Sequence, residues 1–363
     1  MSLSTGIVGL PNVGKSTLFN AITNSSVEAA NYPFATIEPN IGIVNVNDER
    51  MHKLCSMITP NNIVFTTYKF VDIAGLVAGA SKGEGLGNKF LQNIRDVDSI
   101  CHVIRCFDDV DITHVNNNVD PIRDLEIINL ELILADIDVL NNRLQKIIKK
   151  ALTDKKINEE KQLCEKLLEF LKKEKLLNEI ELNKDELFLI KSYNLLTVKP
   201  VIYIANIDEK FLHNPNDNIH FKRLSEHVGS DKIIPLSIKL EYELSKLDED
   251  SKVEFMQMYN MDKSGLDKLI YKSYKSFNLS TFFTYGKKEV RAWTFKNGMN
   301  AQECAGIIHS DFAKGFIKAE IIKYDDLISC GSENAVKELG KMKLVGRDYL
   351  VQDGDICTFR FNV

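Results

Sequence analysis

The sequence predicts an α/β protein: a doubly wound, mainly parallel sheet domain, an inserted helical arm and a small second domain. Three observations carry this. Short β-branched runs alternate with helical segments and glycine-rich turns up to about residue 120. A Lys/Glu/Leu-rich stretch from 122 to 198, almost without Gly or Pro, separates those runs from two further strand signals. Strand-like runs around a helix occupy the last eighty or so residues. Strands interleaved with helices pack as a parallel sheet covered on both faces.

Taken in order, the strand signals are Gly6-Ile-Val-Gly9, Ile41-Gly-Ile-Val44, Tyr68-Lys-Phe-Val71 and Ile100-Cys-His-Val-Ile104, then Val201-Ile-Tyr-Ile-Ala205 and Lys232-Ile-Ile-Pro-Leu236. Within the insert, Leu140, Leu144, Ile147 and Ala151, then Leu163, Leu167 and Phe170, recur three and four apart. That is the helical period, and two such segments predict an antiparallel arm. Residues 141–191 hold thirteen Lys/Arg and ten Asp/Glu, a mixture that reads as a solvated helix face. The boundaries are therefore 1–279 for the sheet domain, interrupted at 122–198, and 280–363 for a small α+β domain. The latter holds Val290-Arg-Ala-Trp-Thr-Phe295, a helix near Ala301–Phe312 and a closing strand, Thr358-Phe-Arg-Phe361.

Composition narrows the function. Of 363 residues, 44% are hydrophobic and 27% charged, and the net charge is -5. This balance argues against a dedicated nucleic-acid coat or a polybasic membrane binder. Seven cysteines without CxxC spacing indicate neither a zinc site nor a disulfide framework. Free thiols fit a reducing cytosol, and the start lacks the features of a signal peptide, so a cytoplasmic location without a membrane is expected.

Gly9-Leu-Pro-Asn-Val-Gly14-Lys15-Ser16, followed by Thr17, matches G-x-x-x-x-G-K-[ST] and lies between a strand and a helix. The sheet domain is thus a P-loop nucleotide-binding domain. Its glycines let main-chain N–H groups close around phosphate oxygens at the positive end of the helix. Lys15 can reach the β- and γ-phosphates, and the Ser16 hydroxyl can ligate Mg²⁺. Asp72 ends a strand in Asp72-Ile-Ala-Gly75, where a carboxylate can hold the Mg²⁺ shell and the Gly75 N–H can meet the γ-phosphate. Thr36, in a Pro-punctuated loop, is the candidate third Mg²⁺ group, closing only when a γ-phosphate is present. Gly75–Gly87 holds five glycines, as a second mobile loop would. Position 76 is Leu, which offers no hydrogen bond to an attacking water. Hydrolysis is expected to be slow or to use another group. His114 is one candidate, a structural histidine the alternative.

Base choice is read at Asn206-Ile207-Asp208-Glu209, where a guanine-binding switch would carry N-K-x-D. Ile207 replaces the lysine, and Glu209 takes the Asp position with one extra methylene. The Asn206 amide suits N7 and the 6-amino group of adenine. ATP, or relaxed specificity, is favoured over strict GTP, although a shifted register using Asp208 would restore guanine reading. Ser237 lies where a loop backing the base is expected.

With these motifs in order, the chain resembles the YchF subfamily of Obg-like ATPases. Gly6–Asn20, Asn31–Asn40 and Asp72–Asn88 carry the likeness, as does N-x-x-E in place of N-K-x-D. At the C-terminus it is carried by His309-Ser-Asp-Phe312, Lys314–Glu320 and Gly346–Asp355. The resemblance implies a TRAFAC-class domain that hydrolyses ATP to ADP with Mg²⁺, and a C-terminal TGS domain of β-grasp fold. It also implies association with ribosomes or translation factors. By position, Asn12, Val13, Gly14, Lys15, Ser16 and Thr17 would bind phosphates, Ser16 and Thr36 Mg²⁺, and Asn206 with Ile207 the base. Asn12 also sits where some relatives coordinate K⁺. Residues 280–363 hold twelve Lys/Arg and eleven Asp/Glu, so RNA contact through this domain or the arm competes with protein docking. Two rival readings are a GTPase of ribosome assembly and a scaffold whose bound nucleotide does not turn over.

Overall fold

The chain enters the sheet through β1 (Ser4–Val8), buried at all five positions, as a strand covered on both faces must be. The computed structural model describes residues 4–24, 40–73, 86–109, 118–259 and 261–362. After β1 come α1 (Lys15–Asn24) and β2 (Ile41–Asn45), whose alternating burial marks a strand covered on one face. Next are α2 (Glu49–Ile58), β3 (Asn62–Val64), β4 (Thr67–Asp72), α3 (Leu86–Arg95) and the fully buried β5 (Ser99–Arg105).

The insert begins with α4 (Pro121–Ile147), 27 residues or about 40 Å of helix. Asp120 caps it and Pro121 fills its first turn, where no N–H is missed. α5 (Lys155–Leu171) runs back along it: Arg143 of α4 donates to Glu160 of α5 at 2.7 Å, and Leu140, Leu163, Leu167 and Leu171 share one apolar seam. α6 (Lys184–Ile190) follows, held by a capping box between Asn183 and Glu186. Asp136 returns the arm to the sheet: its buried carboxylate accepts the Leu196 and Thr197 N–H groups and the Thr197 hydroxyl.

The chain then forms β6 (Val201–Asn206), α7 (Ile219–Val228), β7 (Ile233–Leu236), α8 (Ile238–Leu244), α9 (Glu249–Met258) and α10 (Gly265–Ser276). The first sheet has the order β2-β4-β1-β5-β6-β7, with β4, β1, β5, β6 and β7 parallel. Consecutive parallel strands depart from β1 in both directions, so a crevice opens outside its carboxyl end. Among the described residues, no helix is long and apolar enough to cross a membrane.

The C-terminal sheet is built from β8 (Leu279–Tyr285), β9 (Glu289–Lys296), β10 (Phe316–Lys323), β11 (Lys343–Val345) and β12 (Asp355–Phe361). Helices α11 (Ala301–Ile308), α12 (Ser310–Lys314), α13 (Tyr324–Cys330) and α14 (Glu333–Glu338) lie between its strands in sequence. Its order is β11-β10-β12-β8-β9-β3. First and last strands, β8 and β12, are parallel neighbours, and α11 shares a core with Phe282, Phe295 and Ile321. This is the β-grasp arrangement that the family resemblance implies.

Two details differ from the sequence reading. The helix expected near Ala301–Phe312 is two helices, because His309 is extended and its ring Nδ1 accepts the Asp311 N–H, capping α12. The second concerns the boundary. The chain divides into residues 1–44 with 69–268, and residues 45–68 with 269–363, so 45–68 leave the sheet domain drawn as 1–279. β3 pairs with β9 in parallel, and Met51 and Leu54 are fully buried with Phe283, Val290 and Ile356. A three-residue strand with two exposed positions gives no periodic signal of such a long-range pairing.

Candidate functional site

The site lies in that crevice, at the loop joining β1 to α1. Leu10 and Val13 are buried and pin the loop from below. Gly9 presses against β5: a Cβ there would stand 2.5 Å from the Val103 carbonyl oxygen. Gly14 takes φ +105, and a Cβ would meet the Asn206 Nδ2 at 2.8 Å. Asn12 adopts the left-handed region at φ 61. Both glycines of the motif are thus required by backbone approach or backbone conformation.

Lys15 begins α1 and is 8% exposed. Its ammonium donates to the Leu10 carbonyl at 2.7 Å, inside its own loop. Burial pushes its pKa down, with the Asp72 carboxylate opposing. Asp72 ends β4 beside Ile7 of β1. Burial raises its pKa, and Lys15 opposes that shift in turn. The two side chains therefore feel one another across the crevice, each short of full solvation. Ser16 is exposed at the start of α1, and Thr17 is partly exposed.

On the far side, Asn206 ends β6 and clamps the site together. Its Nδ2 donates to the Val13 carbonyl at 3.0 Å, and its Oδ1 accepts the Ile238 N–H at 3.1 Å. Phosphate loop and start of α8 are thereby fixed by one amide, which retains a second N–H for a base. Ser237 is buried at the head of α8, and its side chain does not cap that helix. Ile207 is 2% exposed among Phe221, Leu224 and Leu125, while Glu209 is exposed. Asp208 is half-exposed and pairs with Lys210 at 3.8 Å. Thr36, Gly75, Leu76 and His114 lie outside the described residues.

One neighbour escapes sequence reasoning. His102 on β5 faces Val8 in register, is 2% exposed, and its ring lies 5.9 Å from that of Tyr203. Burial first, and the Lys15 charge second, lower its pKa to about 3. It is a neutral imidazole beneath the cationic loop. The signal was a polar residue inside the apolar run Ile100–Ile104. A separate cavity of about 860 Å³, lined in part by Leu177, Ile180, Tyr203, His227 and Lys232, includes no phosphate-loop residue.

A doubly wound sheet with this loop at its switch point, a carboxylate at the end of β4 and an amide clamp at the end of β6 defines a GTPase-like P-loop nucleotide hydrolase. Residues 4–177 match the family described as "50S ribosome-binding GTPase", and residues 279–362 match YchF-GTPase_C, described as "Protein of unknown function (DUF933)". The chain is 50% identical to the ribosome-binding ATPase YchF of Bacillus subtilis, over 100% of both chains. It is 54% identical to that of Mycoplasma genitalium, over 99% of this chain and 100% of the relative. A solved structure titled as the Schizosaccharomyces pombe YchF GTPase superposes with a TM-score of 0.89 at 40% identity, covering 99% and 98% of the two chains. The chain belongs to the YchF family.

Proposed function

We propose that this chain is a cytoplasmic, Mg²⁺-dependent ATPase that hydrolyses ATP to ADP slowly and uses the cycle as a switch on the ribosome. The observation that carries the chemistry is Lys15, buried in its loop on a carbonyl and facing Asp72. An arriving triphosphate offers that ammonium better partners than a neutral carbonyl, while the loop N–H groups and the start of α1 take the remaining phosphate charge. Ser16 and Asp72 are hard oxygen donors suited to Mg²⁺. Among the described residues, no cluster of three or more His, Cys, Asp or Glu could cage a metal unaided. The ion would be held mainly by phosphate oxygens and water, with the Thr36 hydroxyl completing its set and the Gly75 N–H donating to the γ-phosphate.

Adenine is favoured because Glu209, which takes the place of the guanine-reading Asp, stands in solvent; the remaining Asn206 N–H can serve N7 of either purine. The half-exposed Asp208 supports GTP as the second reading. Ribosome association rests on the names of the relatives, and RNA contact through arm or C-terminal unit on the basic residues there. Calorimetry with ATP and GTP analogues in Mg²⁺ decides the base: a tighter ATP analogue supports the proposal, a tighter GTP analogue overturns it. Lys15→Ala should lower turnover about a hundredfold or more, as loss of a main charge stabiliser does. Unchanged ATP binding and turnover would remove the site assignment. Asn12 as a K⁺ ligand predicts faster hydrolysis in K⁺ than in Na⁺, and equal rates would exclude it.

A further inference from the structure

We infer that the tip of the helical arm, residues 144–156, is a binding surface for the phosphate backbone of RNA, resting on the ribosome reading above. The mixed charge of the arm is not evenly spread. Residues 144–156 hold Lys146, Lys149, Lys150, Lys155 and Lys156 against Asp154 alone, in a chain of net charge -5. All five lysines are exposed. Further along the arm, Arg143 pairs with Glu160, Lys161 with Glu165 and Lys166 with Glu186. The single acid at the tip is committed to the backbone, since Asp154 caps α5 by accepting the Lys156 and Ile157 N–H groups.

The tip also has an apolar point. Ile147 and Ala151 turn inward and hold the connection between α4 and α5, whereas Ile148 is 51% and Leu152 86% exposed. Five exposed ammonium groups, with no carboxylate partner among the described residues, around an exposed leucine call for a partner with closely spaced anions and an apolar face between them. Nucleic acid supplies both, with a phosphate every few ångströms and base faces exposed in loops and bulges. Two apolar side chains are too few to anchor a bilayer, which a broad amphipathic face would need.

The test uses the full chain and a fluorescein-labelled RNA hairpin of about 20 base pairs, with anisotropy read from about 50 to about 200 mM salt. Lys149, Lys150, Lys155 and Lys156 are changed together to Gln. The slope of log K against log salt should fall by about three, with affinity down roughly a hundredfold at low salt. The matching Lys→Arg set should keep the slope, and Leu152→Ser should weaken binding with the slope unchanged. Basal ATP hydrolysis and the circular dichroism spectrum should not move. Equal slope and affinity in the Gln variant, or no binding by the wild-type chain, would overturn the inference. So would lysine-dependent pelleting with phosphatidylserine vesicles while the hairpin is bound regardless of the lysines. Co-sedimentation with ribosomes separates the two levels. A wild-type chain that ignores ribosomes removes the ribosome reading, whereas a Gln variant that binds ribosomes and hairpin like the wild type removes only the role of the tip.

Discussion

At the residue scale, the site works by holding side chains short of the solvation they would have in water. His102 shows the consequence most directly. Unfolded, its imidazole binds a proton near pH 6.5, whereas the folded chain admits that proton only at about 3. The folded pKa is depressed, so its contribution is complete above the unfolded value and is lost as pH falls through this window. The loss is at most about 1.4 kcal/mol per pH unit. His102→Gln should flatten the difference between urea midpoints at pH 7 and pH 5 relative to the wild type, and an undiminished difference would show that other groups set the acid limit. Ile207 corrects an expectation as well as making one. By sequence it stands where a lysine would cover guanine, but it is buried among Phe221 and Leu224. Ile207→Lys should therefore cost roughly 3–5 kcal/mol through a buried, unpaired ammonium, rather than convert the site to GTP. Chemical denaturation reads the cost, and a variant as stable as wild type with raised GTP affinity would contradict it.

At the scale of elements, buried carboxylates replace backbone partners at two junctions. Glu241 of α8 accepts the Gly265 and Leu266 N–H groups and so caps α10, and a Cβ at Gly265 would meet Leu236 Cδ1 at 2.0 Å. Asp136 of α4 does the same for Leu196 and Thr197, fixing where the arm re-enters the sheet. Asp136→Ala strands two buried N–H groups and should cost about 3 kcal/mol, visible as a lower urea midpoint and faster proteolysis near 194–198. Asp136→Asn keeps one good acceptor and should cost less. An alanine variant with wild-type stability and cleavage would show that the tie carries nothing. Neither junction is legible in the sequence, because the partners are 24 to 61 residues apart. The arm itself was legible, since Leu140, Leu144, Leu163 and Leu167 repeat at the helical period. The phosphate loop was legible too, because its function needs glycines at fixed positions. His102 and the break at His309 were not, since a single polar residue in a run does not say whether it faces core or solvent.

At the scale of the molecule, the least expected feature is the excursion of residues 45–68. They leave the first sheet after β2, contribute α2 and β3 to the C-terminal unit, and return as β4, which ends in Asp72. The attachment is extensive. Arg50 pairs with Asp48 at 2.7 Å and Asp353 at 3.3 Å and lies over the Phe283 ring, while Asn62 donates to Glu289 and Thr66 bonds Thr294. The strand that carries Asp72 is therefore joined covalently to a segment whose core belongs to another sheet. A truncation after residue 279, where sequence alone would place the boundary, leaves α2 without its core. Met51 and Leu54, both fully buried in the intact chain, would face water, each forfeiting about 1.5–3 kcal/mol of burial. Such a truncation should bind a hydrophobic dye, aggregate on mild heating, and hydrolyse ATP less than the full chain. Polar substitution of Met51 and Leu54 should restore the solubility of the truncated chain. Hydrogen exchange can read the coupling between β4 and the C-terminal sheet in the full chain, where an ATP analogue should change protection in β3 and β9 as well as at the phosphate loop. Exchange that changes only at the loop would mean that the excursion is a structural graft, with no part in sensing the nucleotide.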